Sequence, residues 1–192
     1  MLIIVLFVLF ASTFACEDFP NGTATAVHTF QCNGPNPTFE LVSAKIMDSE
    51  GHQNYPIDLS KPIVFHYDII NHANHSFDNL RSDSEFDEWF SGWLGCYWLP
   101  LPTFGVLDNT NPCELGNSCP VKSGPTVIET HVDLSQIAAV LNAITSHHPT
   151  QFTVHLKDNT NPNQQVELAC VSWQMQFTKD GKYLTAAKLL KH

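Results

Sequence analysis

The sequence predicts an all-β fold, a sandwich or barrel of antiparallel strands. Three observations predict it. Apolar and polar residues alternate with a period of two over several stretches, the pattern of half-buried strands. Clusters of Asn, Asp, Gly and Pro separate those stretches and supply turns. Helical periodicity is scarce.

After the turn signal Asn33-Gly34-Pro35-Asn36-Pro37, the first alternating stretch runs from Thr38 to Met47, with Phe39 and Leu41 in phase. The second is Ile63 to Ile69, which sets Ile63, Phe65, Tyr67 and Ile69 on one face. Val127 to Leu134 turns Ile128, Val132 and Leu134 one way and Glu129, His131 and Asp133 the other. Phe152 to Leu156 is the cleanest alternation, with Phe152 and Val154 on one face and Thr153 on the other. Val166 to Phe177 is the longest, with Val171, Trp173, Met175 and Phe177 on one side. The pentapeptide Asp-Asn-Thr-Asn-Pro occurs at Asp108 to Pro112 and again at Asp158 to Pro162. Its flanks do not match, so it reads as two hairpin ends rather than a domain repeat. Ser135 to Ile144 is the best helix candidate, with Ser135 as cap and Ile137, Val140, Leu141 and Ile144 at helical spacing. A short amphipathic tail runs from Lys182 to His192.

One segment breaks the pattern. Phe86, Trp89, Phe90, Trp93, Tyr97, Trp98 and Phe104 crowd into a short stretch, and the acidic run Asp83 to Glu88 leads into it. Such a cluster is either packed core or the wall and mouth of an apolar cavity, and the residues alone leave both readings open.

The chain of 192 residues opens with an uncharged apolar run ending in small residues, Phe10-Ala11-Ser12-Thr13-Phe14-Ala15. This is the pattern of an export signal, too short to span a bilayer. Residues 1–15 are therefore expected to be the signal, 16–29 an N-terminal segment, 30–178 one domain and 179–192 a tail. Nine Lys and Arg stand against nineteen Asp and Glu, a net charge of -10. That balance excludes a nucleic-acid partner, which needs a basic footprint, and argues against electrostatic docking on anionic lipid.

Six cysteines in an exported chain imply a disulfide framework with fifteen formal connectivities. Cys113 and Cys119 are six apart, with Gly116-Asn117 between them to turn the chain, and pair most cheaply. The spacing does not suit structural zinc. Ten histidines offer no metal-ligating pattern, so neither metal nor cofactor is expected. Asn21-Gly22-Thr23 and Asn74-His75-Ser76 are glycosylation sequons, which place Asn21 and Asn74 in surface loops. No Gly-x-Ser-x-Gly elbow is present, and the carboxylates of Asp83 to Glu88 read as a solvated run rather than a catalytic pair. The chain is not expected to be an enzyme.

Cys113-x5-Cys119-Pro120-Val121-x-x-Gly124, preceded by Leu101-Pro102-Thr103-Phe104-Gly105 and followed by Val132-Asp133-Leu134-Ser135, resembles the ML lipid-recognition family. Phe30-Gln31-Cys32 and Leu168-Ala169-Cys170-Val171 add to the likeness, which covers about Phe30 to Phe177. Sterol-transfer and ganglioside-activator proteins belong to that family, and its invertebrate, nematode-type members look closest.

The resemblance implies an immunoglobulin-like β-sandwich of two antiparallel sheets with an apolar cavity between them. It implies a Cys32–Cys170 bond, and with it a Cys16–Cys96 bond. It implies a lipid or sterol ligand, a secreted or endolysosomal location, and transient contact with a membrane or membrane protein. The residues then expected at the cavity are Phe39, Leu41, Phe65, Tyr67, Ile69, Trp93, Trp98, Phe104, Ile128, Val132, Leu134, Phe152, Val154, Val171, Trp173 and Met175. Phe104 matches the family's tunnel-mouth aromatic and Leu134 its aliphatic after the following strand. The chain departs from the sterol carriers in lacking their short N-terminal disulfide pair, and in a longer, Trp-rich segment from Asn71 to Asn111.

Overall fold

A computed structural model describes residues 16–58, 60–92, 95–105, 107–116, 119–132, 148–179 and 182–183. The helix candidate Ser135 to Ile144, Trp93, Leu134 and most of the tail lie outside these residues.

The alternating stretches form the expected strands. They are β1 (His28–Gln31), β2 (Phe39–Asp48), β3 (Ile57–Asp58), β4 (Ile63–Asn71), β5 (Leu80–Gly92), β6 (Gly95–Leu101), β7 (Gly124–Val132), β8 (Thr150–Asp158), β9 (Val166–Met175), β10 (Phe177–Lys179) and β11 (Lys182–Tyr183). A five-stranded sheet has the order β1-β9-β8-β5-β6 and a three-stranded sheet the order β2-β4-β7. Every pair within both is antiparallel. A small third sheet, β11-β10-β3, contains the one parallel pairing among the described strands. The fold is an immunoglobulin-like β-sandwich.

The period-two pattern decides which side chains meet between the sheets. On β4, the central strand of the smaller sheet, Phe65, Tyr67 and Ile69 face inward. On β2 a bulge between Leu41 and Ser43 inserts one residue. Phe39 and Leu41 before it, and Ala44 and Ile46 after it, therefore all pack inward, while Val42 stands out in solvent. The packed interior is two clusters rather than one. The first contains Ile46, Ile63, Phe65, Phe86, Trp173, Met175 and Phe177, and the second Phe39, Ile69, Phe77, Leu80, Val121, Ile128 and Leu168.

The aromatic segment is a long hairpin. β5 and β6 pair from Phe86↔Leu101 to Gly92↔Gly95, and Gly95 takes a φ of 111° that favours glycine at the turn. Alternation gives the hairpin two faces. Trp89 and Trp98 pack at 5.1 Å on the outer one, and Phe90 and Tyr97 at 5.2 Å on the inner one.

Three disulfides brace this frame: Cys16–Cys96, Cys32–Cys170 and Cys113–Cys119. The first ties residues 16–19 to the hairpin, where the Trp89 indole N–H also donates to the Glu17 carbonyl at 2.7 Å. The second joins the end of β1 to its neighbour β9.

One copy of Asp-Asn-Thr-Asn-Pro, Asp158 to Pro162, closes the β8–β9 hairpin. Asp158 Oδ1 there accepts the Thr160 amide at 2.9 Å. The other copy is not a hairpin end. β6 belongs to the five-stranded sheet and β7 to the three-stranded one, so the chain between them must cross from sheet to sheet. Asp108 to Pro112 is part of that crossing.

Candidate functional site

Partly buried Leu41 and Tyr67 pack against both of the two apolar clusters. Between the sheets lies a cavity of about 140 Å3. The larger sheet contributes Phe86 with Ser82 and Ser84 from β5, Phe152, Val154 and Leu156 from β8, and Ala169 and Val171 from β9. The smaller sheet contributes Phe39, Phe65, Tyr67, Ile69, Ile128, Thr130 and Val132. Phe177 and the crossing segment, through Leu107, Thr110, Pro112 and Leu115, complete the wall. No Asp, Glu, Lys, Arg or His lines it among the described residues.

The crossing segment is a strap along the open edge of the sandwich. On one side Thr110 and Ser82 exchange backbone hydrogen bonds, both 2.9 Å, and the Ser84 amide donates to Leu107 at 3.2 Å. On the other side the His131 amide of β7 donates to the Leu115 carbonyl at 2.9 Å. The strap thus continues one sheet and touches the other. Asp83 on β5 anchors it by accepting the Asn109 amide at 2.8 Å. Lys157 and Asn109 both donate to this carboxylate, and the Lys157 ammonium most strongly holds its pKa below the usual range. The Cys113–Cys119 bond closes the loop behind the strap. The opposite edge is sewn shut by one side chain: Gln31 of β1 donates Nε2–H to the Phe39 carbonyl and accepts the Leu41 amide at Oε1, both at 2.9 Å.

Of the residues expected at the cavity, Phe39, Phe65, Tyr67, Ile69, Ile128, Val132, Phe152, Val154 and Val171 line it. Five others sit elsewhere. Trp173 and Met175 share the parity of Val171 but lie at 0% exposure in the first cluster, past the end of the void. Leu41 packs against both clusters near the Gln31 stitch rather than on the wall. Trp98 packs against Trp89 on the outer face of the hairpin, because its pairing partner is an odd number of residues from inward-facing Phe86. Phe104 is 79% exposed in a turn with a φ of 52°. Trp93 and Leu134 lie outside the described residues. Asn74 is exposed in the β4–β5 loop. Asn21 is exposed too, although its Nδ2 donates to Gln174 at 2.7 Å.

Sequence reasoning missed Leu107, Thr110, Pro112 and Leu115, whose role depends on the sheet crossing, and Ser82 and Ser84, which turn small hydroxyls inward. It also missed Thr130, two residues beyond Ile128 on the same face of β7, and the wall position of Leu156, both of which the two-residue phase of their strands predicts.

The described histidines do not line the cavity. His66 on β4 approaches Glu129 at 2.9 Å and Asp68 at 3.4 Å across the outer face of the smaller sheet, and His155 approaches Glu167 at 2.7 Å. No group of three metal-ligating side chains is gathered among the described residues. No described helix is long and apolar enough to cross a membrane.

Among the described residues, the two-sheet sandwich thus holds an uncharged, largely apolar void. No protein-family model matches the chain, and no curated protein does. Among solved structures it is similar to the C-terminal domain of wzt, at 10% identity over 82% of this chain and 81% of that one, with a TM-score of 0.45. It is similar also to a Niemann-Pick type C2 protein from Japanese carpenter ant, at 10% identity over 79% of this chain and 99% of that one, TM-score 0.45. At that identity and score neither likeness assigns a family or a ligand.

Proposed function

We propose that this chain is a secreted or endolysosomal lipid-binding protein that holds an apolar group between its two sheets for transport or transfer. The observation that carries the reading is the void itself. Two sheets with complementary apolar inner faces normally interdigitate into one core, yet here a void is lined by residues of both clusters. Leaving the space empty costs packing energy. Transferring a tail into it recovers about 0.8 kcal/mol per buried CH2. The reading calls on no catalytic group. Three disulfides suit an oxidising compartment and hold the frame while its interior stays open.

The size of the void limits the resting state. A dry cavity of about this volume admits a benzene-sized guest, whereas drug-sized ligands occupy roughly 300–1,000 Å3. A long acyl chain or a sterol therefore enters only if the sheets part. The geometry favours the β6–β7 edge, where a strap bridges the sheets, over the β1–β2 edge, which Gln31 sews together.

A second reading is a lipid-presenting module that engages a receptor or a membrane. It draws on the inner face of the β5–β6 hairpin, which carries Phe86 into the cavity wall and then leaves Phe90, Tyr97 and Leu99 exposed. Native mass spectrometry of protein purified from its own source tests the proposal. An adduct that organic extraction identifies as a lipid is expected. Protein that arrives empty and takes up no lipid from vesicles would overturn it.

A further inference from the structure

Tyr67 sits at the middle of the cavity wall. It lies on β4, the central strand of the smaller sheet, opposite Ala44 on one side and Ile128 on the other. Its ring is fixed by an edge-on contact with Trp173 at 5.5 Å and by Phe65 stacked at 6.5 Å. Burial pushes the phenol pKa up, so the hydroxyl keeps its proton; the nearby Trp173 indole opposes this weakly. Yet that indole N–H is not aligned as a hydrogen bond, and Trp173 Nε1 is buried without a partner. Nor does any described residue take the Tyr67 proton. Tyr67 is half-buried and lines the cavity.

An enclosed donor without an acceptor costs free energy, and here it faces a space able to supply one. The other hydroxyls on the wall differ. Ser82 Oγ and Thr110 Oγ1 satisfy each other at 2.7 Å. Ser84 and Thr130 can turn about χ1 toward their own backbone. The phenol oxygen cannot leave its place without moving a ring held on two sides.

We propose that Tyr67 selects the guest: it donates a hydrogen bond to a neutral oxygen, a hydroxyl or carbonyl, carried into the cavity on an otherwise apolar molecule. The oxygen is neutral because the wall carries no cation among the described residues, and an unpaired carboxylate there would pay the full cost of leaving water. The assignment rests on the lipid-binding reading and narrows it, from any tail to a mono-oxygenated one.

Isothermal titration with hexan-1-ol, heptane and hexanoate tests it on wild type, Tyr67→Phe and Ser84→Ala. Wild type should bind the alcohol and the alkane and not hexanoate. Tyr67→Phe should weaken hexan-1-ol roughly five-fold, the equivalent of about 1 kcal/mol for one hydrogen bond, and leave heptane unchanged. The heptane measurement doubles as proof that the variant keeps its cavity. Unchanged alcohol affinity in Tyr67→Phe, an equal loss for alcohol and alkane, or a loss that follows Ser84→Ala instead would each overturn the assignment while leaving the carrier reading in place. Wild type that binds none of the probes would sink both.

Discussion

The side-chain oxygen of Gln31, on the edge strand of one sheet, accepts the backbone amide of Leu41 on the edge strand of the other at 2.9 Å. With the Nε2 bond to Phe39 it gives the sandwich one closed edge. Among the described residues the opposite edge is bridged by the strap. The two sheets are therefore hinged on one side and clasped on the other.

Gln31→Ala removes both bonds across the hinge. At about 1 kcal/mol each, the urea midpoint should fall by the equivalent of about 2 kcal/mol without a change in slope. A midpoint within error of wild type would show that Gln31 joins nothing.

Filling the void should abolish uptake at little structural cost. Val154 pairs with Ser84 and Val171, and all three line the cavity. Val154→Phe puts a ring where the guest would lie, and added bulk in a real void costs less than the 1–3 kcal/mol of true overpacking. The expected variant is folded, about as stable as wild type, and free of lipid in the native mass spectrum. A folded variant that still carries its guest refutes the assignment of this cavity.

Asp83 fixes the acid response of the clasp. Its folded pKa is depressed, first by Lys157 and then by the Asn109 amide. A depressed carboxylate contributes stability that is complete above the ordinary aspartate value near 3.9. That contribution is lost only as pH falls through the lower folded value. Thermal midpoints of wild type and Asp83→Asn should therefore differ by a constant amount from pH 7 to 5 and converge below about 4. Convergence already at pH 6 would contradict this anchor.

Removing the Cys113–Cys119 bond as a double Ala variant frees a loop of six-residue separation. The chain-entropy relation puts the loss at about 2 kcal/mol. Because the end of the strap at Leu115 lies in this loop, exchange of a fluorescent lipid should also quicken. Unchanged exchange with lowered stability would separate the bond from the clasp.

The strands that build the cavity were legible because one face of each is apolar and the period is two, as at Phe65-Tyr67-Ile69 and Phe152-Val154. The β5 strand was not, because its inward residues begin with Ser82 and Ser84 and its outward ones are Asp83, Glu85 and Asp87, a pattern that reads as a polar loop. Parity predicts a face but not how far a void extends along it. Trp173 and Met175 therefore lie on the predicted side and beyond the cavity's end. The strap was beyond reach for a different reason: a segment that crosses between sheets is defined by pairings distant in sequence, such as Thr110 with Ser82 and Leu115 with His131, and its own sequence repeats a turn found elsewhere in the chain. The Cys113–Cys119 bond followed from spacing alone. The two long bonds entered only through a resemblance, since local sequence does not bring Cys32 to Cys170 across a separation of 138.

Those separations also order the protein's biogenesis. Cys16 cannot find Cys96 until eighty further residues have been made, and Cys32 must wait for nearly the whole polypeptide. During synthesis both of these thiols therefore exist before either of their native mates has been made.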